Sequence, residues 1–197
     1  MKTNQEQGNQ ISSSANDKNR TRNSKFLSLV LRHKPETIGV QLDEHGWIAI
    51  TTLLNALQQY GKRISHQDLL EICAACDKQR FKISDDGLRI RANQGHTVKI
   101  DLGLSPKSPP PVLYHGTASR FIGNIFRQGL RPGSRQHVHL TEDLNTAKKV
   151  GARHGIPVIL KIDSAALLEA GQVFYQSENK VWLTAVIAPR YLSKIDT

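Results

Sequence analysis

The stretch RFKISDDGLRIRA, residues 80–92, contains the pattern that decides the fold of the first half of the chain. Residues 80–84 and 88–92 alternate between polar and apolar side chains, as a half-buried β-strand does. Asp85-Asp86-Gly87, which separates them, is a strong signal for a tight turn. The pattern therefore predicts a β-hairpin.

Three helical segments precede this hairpin. The first runs from a cap at Ser24 to a stop before Pro35, because proline pushes the residue before it out of the helical region. Helical spacing of apolar residues predicts the second over Thr52–Tyr60 and the third over Ser65–Cys76. Three helices followed by a hairpin predict a winged-helix-like lobe, an architecture common among nucleic-acid-binding proteins.

The segment SPKSPPP, residues 105–111, concentrates proline and predicts an extended linker. Beyond it the chain alternates between short strands and short helices. Strands are predicted at VLYHG, HVHL, PVILKI, QVFYQ and VWLTAVI. Helices are predicted at Phe121–Gln128, Asp143–Val150 and Ala165–Glu169. The fold class is therefore α+β, with a lobe over residues 23–104, the linker, and a lobe of strands and short helices over residues 112–197.

Residues 1–22 are rich in Asn, Gln and Ser without periodicity, and they predict a disordered leader. The leader has no apolar stretch of the kind found in signal peptides, and no run of about 18 apolar residues occurs in the chain. We therefore expect a cytoplasmic protein that does not span a membrane. The sequence has no apolar stripe that would indicate an interface with a protein partner, so a monomer is expected.

The formal net charge is +10, and the excess of basic residues is spread over both halves of the chain. Such a balance favours a polyanionic partner, most commonly nucleic acid, although many small proteins are simply basic. Cys73 and Cys76 form a lone CxxC in an apolar helical pattern. Buried, reduced thiols explain that pattern better than a zinc or redox site does.

Four residues stand out as candidates for phosphate chemistry. Arg32 and His33 close the first helix, Arg80 opens the hairpin, and Arg135 lies in a loop before HVHL. Arginine suits phosphate because its planar guanidinium donates two parallel hydrogen bonds and keeps its charge. The alternative for each arginine is a solvated surface position.

A second group follows the linker. His115, Gly116 and Thr117 end a strand, where a glycine lets a ligand approach a backbone that can pair with a carboxamide such as nicotinamide. A structural role for this histidine is the alternative. His137 and His139 share one strand face, but no carboxylate or cysteine lies at a useful spacing, so no metal site is expected.

Asn93-Gln94-Gly95-His96 forms a polar cluster at a turn just after the hairpin. These residues either contact RNA hydroxyls and phosphates or cap the strand. The chain has no Gly-rich phosphate loop of Walker or Rossmann type, no GxSxG elbow and no convincing carboxylate pair. Any NAD binding must use another fold.

Taken together, these motifs resemble the RNA (tRNA) 2′-phosphotransferase family, also described as KptA-like. The resemblance covers about residues 24–192 and is carried by the segments SKFLSLVLRHKPETIGVQLDEHGW, KQRFKIS, IRANQGHT, LYHGTASRF, SRQHVHLT, KVGARHG and VWLT. It implies a winged-helix RNA-binding lobe, a C-terminal lobe with the ADP-ribosyltransferase fold that binds NAD as co-substrate, and an active site between them.

The resemblance also assigns roles to residues. The catalytic set that it implies is Arg32, His33, Arg80 and Arg135. The NAD-binding residues that it implies are His115, Gly116, Thr117, His139 and Val181. RNA contacts are expected at Lys34, Asn93, Gln94 and His96.

The implied reaction has two steps and needs no metal. The 2′-phosphate of the RNA, with tRNA among the candidates, attacks the nicotinamide ribose to give a 2′-phospho-ADP-ribosyl RNA intermediate. Transesterification then releases 2′-OH RNA and ADP-ribose 1″,2″-cyclic phosphate. Val181 stands where protein-modifying relatives carry a glutamate, and a phosphate nucleophile needs no such base. Lys180 stands where the family usually has glycine, which puts the affinity for NAD in question.

Two other functions fit parts of the sequence. An ADP-ribosyltransferase acting on nucleic-acid phosphate ends would share the first step and lack the second. A non-catalytic winged-helix RNA-binding protein would explain the charge and the first lobe, but it would leave HGT, HVHL and Arg135 without a role.

Overall fold

The computed structural model describes residues 4–75 and 79–195, with side chains from Asp17 onward. The chain divides between Asp101 and Leu102 into two compact units. Both units combine helices with small antiparallel sheets, so the predicted α+β class is confirmed. Within the two described ranges, no helix has the length and apolar character that crossing a membrane would require.

The first unit contains three helices and one three-stranded sheet. Its elements are α1 (Asn4–Arg32), β1 (Ile48–Ala49), α2 (Ile50–Gln59), α3 (His66–Ala74), β2 (Phe81–Ile83) and β3 (Arg89–Ala92). The predicted helices and the hairpin of β2 and β3 are confirmed. The strand β1 was not predicted, because two residues are too few to show alternation. It pairs with the other edge of β3 and gives the order β1-β3-β2.

The first helix is longer than the sequence predicts. It begins at Asn4, whereas a disordered leader was expected over residues 1–22. Leu27, Val30 and Leu31 anchor its C-terminal part in the core, and no proline precedes Pro35. Because extending an existing helix costs far less than nucleating one, the polar segment can continue the anchored turns.

The third helix begins with a capping box between Ser65 and Asp68, which fixes its start at the predicted residue. Cys73 packs against the core of the first unit but is half-buried, whereas the sequence predicts a buried thiol. Cys76 lies outside the described residues.

The second unit contains two three-stranded antiparallel sheets and three helices. Its elements are β4 (Val112–Ala118), α4 (Ile122–Gln128), β5 (Val138–Leu140), α5 (Leu144–Gly151), β6 (Pro157–Asp163), α6 (Ser164–Glu169), β7 (Phe174–Gln176), β8 (Trp182–Thr184) and β9 (Leu192–Ile195). The strand orders are β4-β6-β9 and β5-β8-β7. Tyr114 and Thr141 exchange backbone hydrogen bonds and so join the two sheets. Every element except β9 was predicted.

The proline-rich segment is part of the second unit, whereas the sequence predicts an independent linker. Pro106 bridges to Tyr175, and the Lys107 N–H donates to the carbonyl of Phe174 at 2.8 Å. The Ser164 hydroxyl donates to the carbonyl of Pro110 at 2.6 Å. Proline removes only a donor, so the segment can still line the edge of a sheet. The boundary between the units accordingly falls before it.

Candidate functional site

The first unit brings Arg32 and Arg80 together, although 48 positions separate them in the sequence. Arg32 is the last residue of α1, and its Nη2 donates to the carbonyl of Arg80 at 3.2 Å. Arg80 precedes β2, and its Nη1 donates at 3.2 Å to the hydroxyl of Ser24, which lies about two turns before Arg32 in α1. Both arginines are half-buried, and a guanidinium group stays positively charged in proteins, so both residues are suited to contact an anion.

His33 is oriented by Thr97. The Thr97 hydroxyl donates to the carbonyl of Arg32 at 3.4 Å, and Nδ1 of His33 lies 3.1 Å from the same hydroxyl oxygen. With its own proton directed at Arg32, the hydroxyl accepts the Nδ1–H of His33. In the neutral ring, Nε2 is then the nitrogen without a proton, which is the form that a base requires.

The four residues with predicted RNA contacts lie in different environments. Lys34 is exposed beside His33, and Gln94 is half-buried. Asn93 is buried, and its Nδ2 donates to the carbonyl of Gln79 at 2.6 Å. Its backbone N–H donates to the carbonyl of Arg80 at 2.9 Å. RNA contact through Asn93 stays a prediction, and these bonds give it a role in holding the strand that Arg80 opens.

His96 is buried in the first unit, with 2 % of its surface exposed. Among the described residues, neither of its ring nitrogens has a hydrogen-bond partner. Burial, followed by the positive charges of Arg32, His33 and Arg91, lowers the pKa of His96 to about 3. The ring is therefore neutral at physiological pH, and it lies in the interior of the unit rather than at its surface.

In the second unit, β4 and β5 position His115. Its Nδ1 lies 2.9 Å from the backbone carbonyl of His139, which can only accept a hydrogen bond. The proton of a neutral ring therefore sits on Nδ1, and Nε2 is an acceptor. Burial is the largest influence on the pKa of His115 and lowers it; the bond to His139 raises it, and Arg135 lowers it. This histidine can accept a hydrogen bond from a hydroxyl such as that of a ribose.

The structure gives Gly116 a packing role that the sequence did not reveal. A Cβ at this position would lie 1.7 Å from the carbonyl oxygen of Ala147 in α5. The glycine therefore lets the helix pack directly on the strand, whereas the sequence suggested that it lets a ligand approach. Thr117 is buried beside it.

Val181 and Lys180 belong to the turn between β7 and β8. The N–H of Val181 donates to the Ser177 hydroxyl at 3.2 Å, and its carbonyl accepts from the N–H of Ser177 at 2.9 Å. Lys180 has a φ of 59°, in the left-handed region that glycine occupies without strain. The left-handed backbone conformation at position 180 thus explains why the resemblance leads us to expect glycine there.

Arg135 lies in the turn before β5, exposed, with its N–H donating to the carbonyl of Pro132 at 3.3 Å. Desolvation by neighbouring atoms, followed by the positive charge of Arg153, lowers the pKa of Arg135. The positive charge of Arg135 also contributes to lowering the pKa of His115. His137 lies edge-on to Tyr175, with ring centres 6.0 Å apart.

Thr97 and Arg153 were not identified from the sequence. Thr97 acts on a histidine 64 positions away, and no local pattern reports such a contact. Arg153 lies in KVGARHG, a segment that contributed to the resemblance without receiving a role. The position of Arg153 next to α5 could have suggested a role for it.

The chain matches the family described as RNA 2′-phosphotransferase, Tpt1 / KptA family, over residues 18–186. It is 55% identical over 181 residues to the probable RNA 2′-phosphotransferase of Hahella chejuensis, covering 92% of this chain and 97% of that protein. It is 50% identical to the corresponding Agrobacterium fabrum protein, covering 88% and 93%. It is 49% identical to the RNA 2′-phosphotransferase of Escherichia coli K12, covering 90% and 97%.

Proposed function

Because the chain belongs to the Tpt1 / KptA family of RNA 2′-phosphotransferases, we propose that it removes an internal 2′-phosphate from RNA by transfer to NAD. The products are RNA with a 2′-hydroxyl, nicotinamide and ADP-ribose 1″,2″-cyclic phosphate. The candidate substrates include tRNA. The first unit would be the winged-helix RNA-binding lobe, and the second would be the ADP-ribosyltransferase-like lobe.

The observation that carries this proposal is the cluster of Arg32, His33 and Arg80 in the first unit. Two half-buried guanidinium groups and an oriented imidazole come from the end of α1 and the start of β2. Guanidinium groups stay positively charged in proteins and donate planar pairs of hydrogen bonds, which suits them to binding a phosphate. Positively charged donors of this kind stabilise the oxygens of a transferring phosphoryl group.

The second unit supports NAD as the co-substrate. The neutral ring of His115 presents an acceptor at Nε2, which suits a ribose hydroxyl. The positive charge of Arg135 acts on His115, and Arg135 is the candidate cationic donor for phosphate oxygens in this unit. We assign NAD contacts to His115, His139 and Val181, and we assign Gly116 and Thr117 to the packing of β4.

In the proposed reaction, the RNA 2′-phosphate oxygen forms a bond to the anomeric carbon of the nicotinamide ribose as nicotinamide leaves. The neighbouring ribose hydroxyl then bonds to phosphorus, and the bond from phosphorus to the RNA 2′-oxygen breaks. Proton transfer from that hydroxyl and to the 2′-oxygen completes the exchange. His33 is the candidate for moving one of these protons, and Arg80 and Arg135 are the candidates for stabilising charge on the phosphoryl oxygens.

The test is incubation of the full chain with NAD and a short RNA that carries one internal 2′-phosphate. Mass spectrometry follows the RNA, and chromatography follows nicotinamide and ADP-ribose cyclic phosphate. We expect Arg80→Ala and Arg135→Ala to lose on the order of a hundredfold in rate, as removal of one charge-stabilising donor does. Arg63→Ala, an exposed arginine in the loop between α2 and α3, is the matched control and should turn over normally.

Three outcomes distinguish the alternatives. Loss of one phosphate with both small-molecule products supports the proposal. RNA that gains ADP-ribose and keeps it in the wild type points to an ADP-ribosyltransferase of nucleic-acid phosphates. If RNA binds but neither its mass nor the small molecules change, the protein is a non-catalytic RNA-binding protein.

A further inference from the structure

Arg80 is held at its backbone and at its guanidinium group. Its carbonyl accepts hydrogen bonds from the Asn93 N–H at 2.9 Å and from Nη2 of Arg32 at 3.2 Å. Its Nη1 donates to the Ser24 hydroxyl at 3.2 Å. Ser24 and Asn93 are both buried, with 8 % and 7 % of their surface exposed. These two partners of Arg80 therefore lie in the interior of the unit, where water competes little for their hydrogen bonds.

The residue before Arg80 has an unusual backbone conformation. Gln79 has a φ of 39°, in the left-handed region that residues other than glycine rarely occupy. Such a conformation carries a steric cost and persists only where the surrounding contacts enforce it. Nδ2 of Asn93 donates to the carbonyl of Gln79 at 2.6 Å. Asn93 therefore binds both peptide groups that flank the Cα of Arg80, one through its side chain and one through its backbone.

The helix α1 supplies the other two contacts of Arg80. Ser24 accepts from its guanidinium, and Arg32 donates to its carbonyl. Both partners belong to one helix, about 12 Å apart along its axis, so their separation is fixed. His33 follows Arg32 directly. The same helix therefore sets the place of Arg80 relative to the other two members of the cluster.

The placement of Arg80 matters because catalysis by charged donors depends on geometry. A displacement of about 1 Å, caused by a change outside the reacting groups, can cost on the order of a hundredfold in rate. Arginine is also among the side chains with the most rotamer freedom to lose on being ordered. Contacts that order it before the substrate binds remove that cost from the reaction.

We propose that Ser24 and Asn93 are positioning residues of Arg80, which direct its guanidinium at the transferring phosphoryl group. Ser24 acts on the guanidinium itself, and Asn93 acts through the left-handed peptide at Gln79. The inference rests on the proposed function for the reaction in which Arg80 takes part. It differs from the RNA contact that the resemblance implies for Asn93, and the experiment separates the two.

The first test removes the Ser24 hydroxyl in the full chain. Ser24→Ala should lower kcat on the order of tenfold and leave KM for NAD unchanged, because Arg80 keeps its charge and loses its orientation. Ser28→Ala is the matched control: this half-buried serine lies one turn further along α1, and its hydroxyl donates to the Ser24 carbonyl. It should turn over as the wild type does. In an Arg80→Ala background, Ser24→Ala should cause no further loss, since no guanidinium is left to orient.

The second test concerns Asn93 and the peptide that it holds. Asn93→Ala should also lower kcat on the order of tenfold. Glycine adopts the left-handed conformation without steric cost, so Gln79→Gly removes the need for the Asn93 side chain. Measured against Gln79→Gly alone, Asn93→Ala should therefore cost no more than about twofold. Urea unfolding of each variant shows whether it is folded under the assay conditions.

Two kinetic results would overturn the inference. If Ser24→Ala costs as much in the Arg80→Ala background as in the wild type, Ser24 does not act through Arg80. If Asn93→Ala raises KM for RNA at unchanged kcat, and Gln79→Gly does not suppress the change, Asn93 contacts RNA instead of positioning Arg80.

A measurement without turnover separates this inference from the proposed function. Nuclear magnetic resonance of protein with isotope-labelled arginine reports how fast the Arg80 guanidinium rotates. We expect faster rotation in Ser24→Ala than in the wild type and in Ser28→Ala. Equal rotation in all three proteins would show that Ser24 does not hold the group. If the wild type transfers no phosphate, the proposed function is wrong, and the rotation rates still decide whether Ser24 orients Arg80.

Discussion

Gly116 in β4 and Gly151 at the end of α5 face each other, and neither position has room for a side chain. A Cβ on Gly116 would lie 2.9 Å from the backbone nitrogen of Gly151, and one on Gly151 would lie 2.6 Å from the carbonyl oxygen of Thr117. The helix and the strand therefore meet backbone to backbone. Because His115 and Thr117 flank Gly116, this contact fixes the strand on which the candidate NAD-binding residues lie.

Gly116→Ala should destabilise the protein by about 3 kcal/mol, because its Cβ would collide with helix backbone that no side-chain rotation can relieve. The free energy of unfolding in urea measures this. Gly123→Ala is the matched control: it lies inside α4 with nothing within 4 Å of its Cβ. It should be stabilising by about 0.5 to 1 kcal/mol. A Gly116→Ala protein as stable as the wild type would show that α5 does not pack this closely.

Lys180→Gly should stabilise the protein by about 1 kcal/mol, since a lysine at a φ of 59° carries a steric cost that glycine avoids. Thermal unfolding measures the change. Lys180→Ala removes the same charge and keeps the steric cost, so it should show no gain. If Lys180→Ala and Lys180→Gly stabilise the protein equally, the destabilisation comes from the lysine side chain and not from the backbone conformation. A lower KM for NAD in both variants would show that its charge opposes the co-substrate.

Thr97→Val should lower kcat about tenfold, because the Nδ1–H of His33 would lose its acceptor and the ring its fixed orientation. The bond between the Thr97 N–H and the Arg32 carbonyl, at 2.9 Å, remains in this variant. Thr97→Ser keeps the hydroxyl and should retain activity. The pH dependence of kcat is the discriminating measurement, since a base with a changed environment shifts its titration. Loss of activity in the serine variant would instead indicate that the threonine methyl group matters.

Stability should fall on acidification through His96. Its pKa is about 3 in the folded chain against 6.5 unfolded, so the unfolded state binds the proton first. The contribution is fully present above about pH 6.5 and is lost as the pH falls toward 3, amounting to about 2 kcal/mol between pH 7 and pH 5. Urea unfolding at both pH values measures it. His96→Gln cannot titrate and should lose less stability over this interval; an identical loss in both proteins would contradict the assignment.

Much of the fold follows from local patterns. The hairpin around Asp85-Asp86-Gly87 and the capped third helix were predictable because alternation, turn chemistry and caps act over a few residues. The strands β1 and β9 were missed because their pairing partners, not their own sequences, make them strands. The proline-rich segment 105–111 was misjudged for the same reason, since its partners in β7 are about seventy positions away.

The sequence suggested candidate site residues, and their roles stay predictions, but it did not reveal the contacts between them. Arg32 and Arg80 were identified separately, and only the folded chain shows the bond between them. Ligand contact at Gly116 stays a prediction, and its packing against α5 was not predicted, because neither segment by itself shows how closely the helix approaches the strand. Thr97 was missed because a hydroxyl in a turn carries no local sign that it orients a histidine.

The bond that fixes the tautomer of His115 ends on the main chain of His139, and a main-chain carbonyl is present whatever residue occupies the position. Replacing His139 thus removes an imidazole from the site while the proton on His115 stays where it is. The side chain at position 139 can therefore be replaced without removing the acceptor that fixes the tautomer of His115. The residue at position 139 could therefore change during evolution without disturbing the tautomer of His115. Position 139 is thus a place where proteins of this fold can acquire different chemistry.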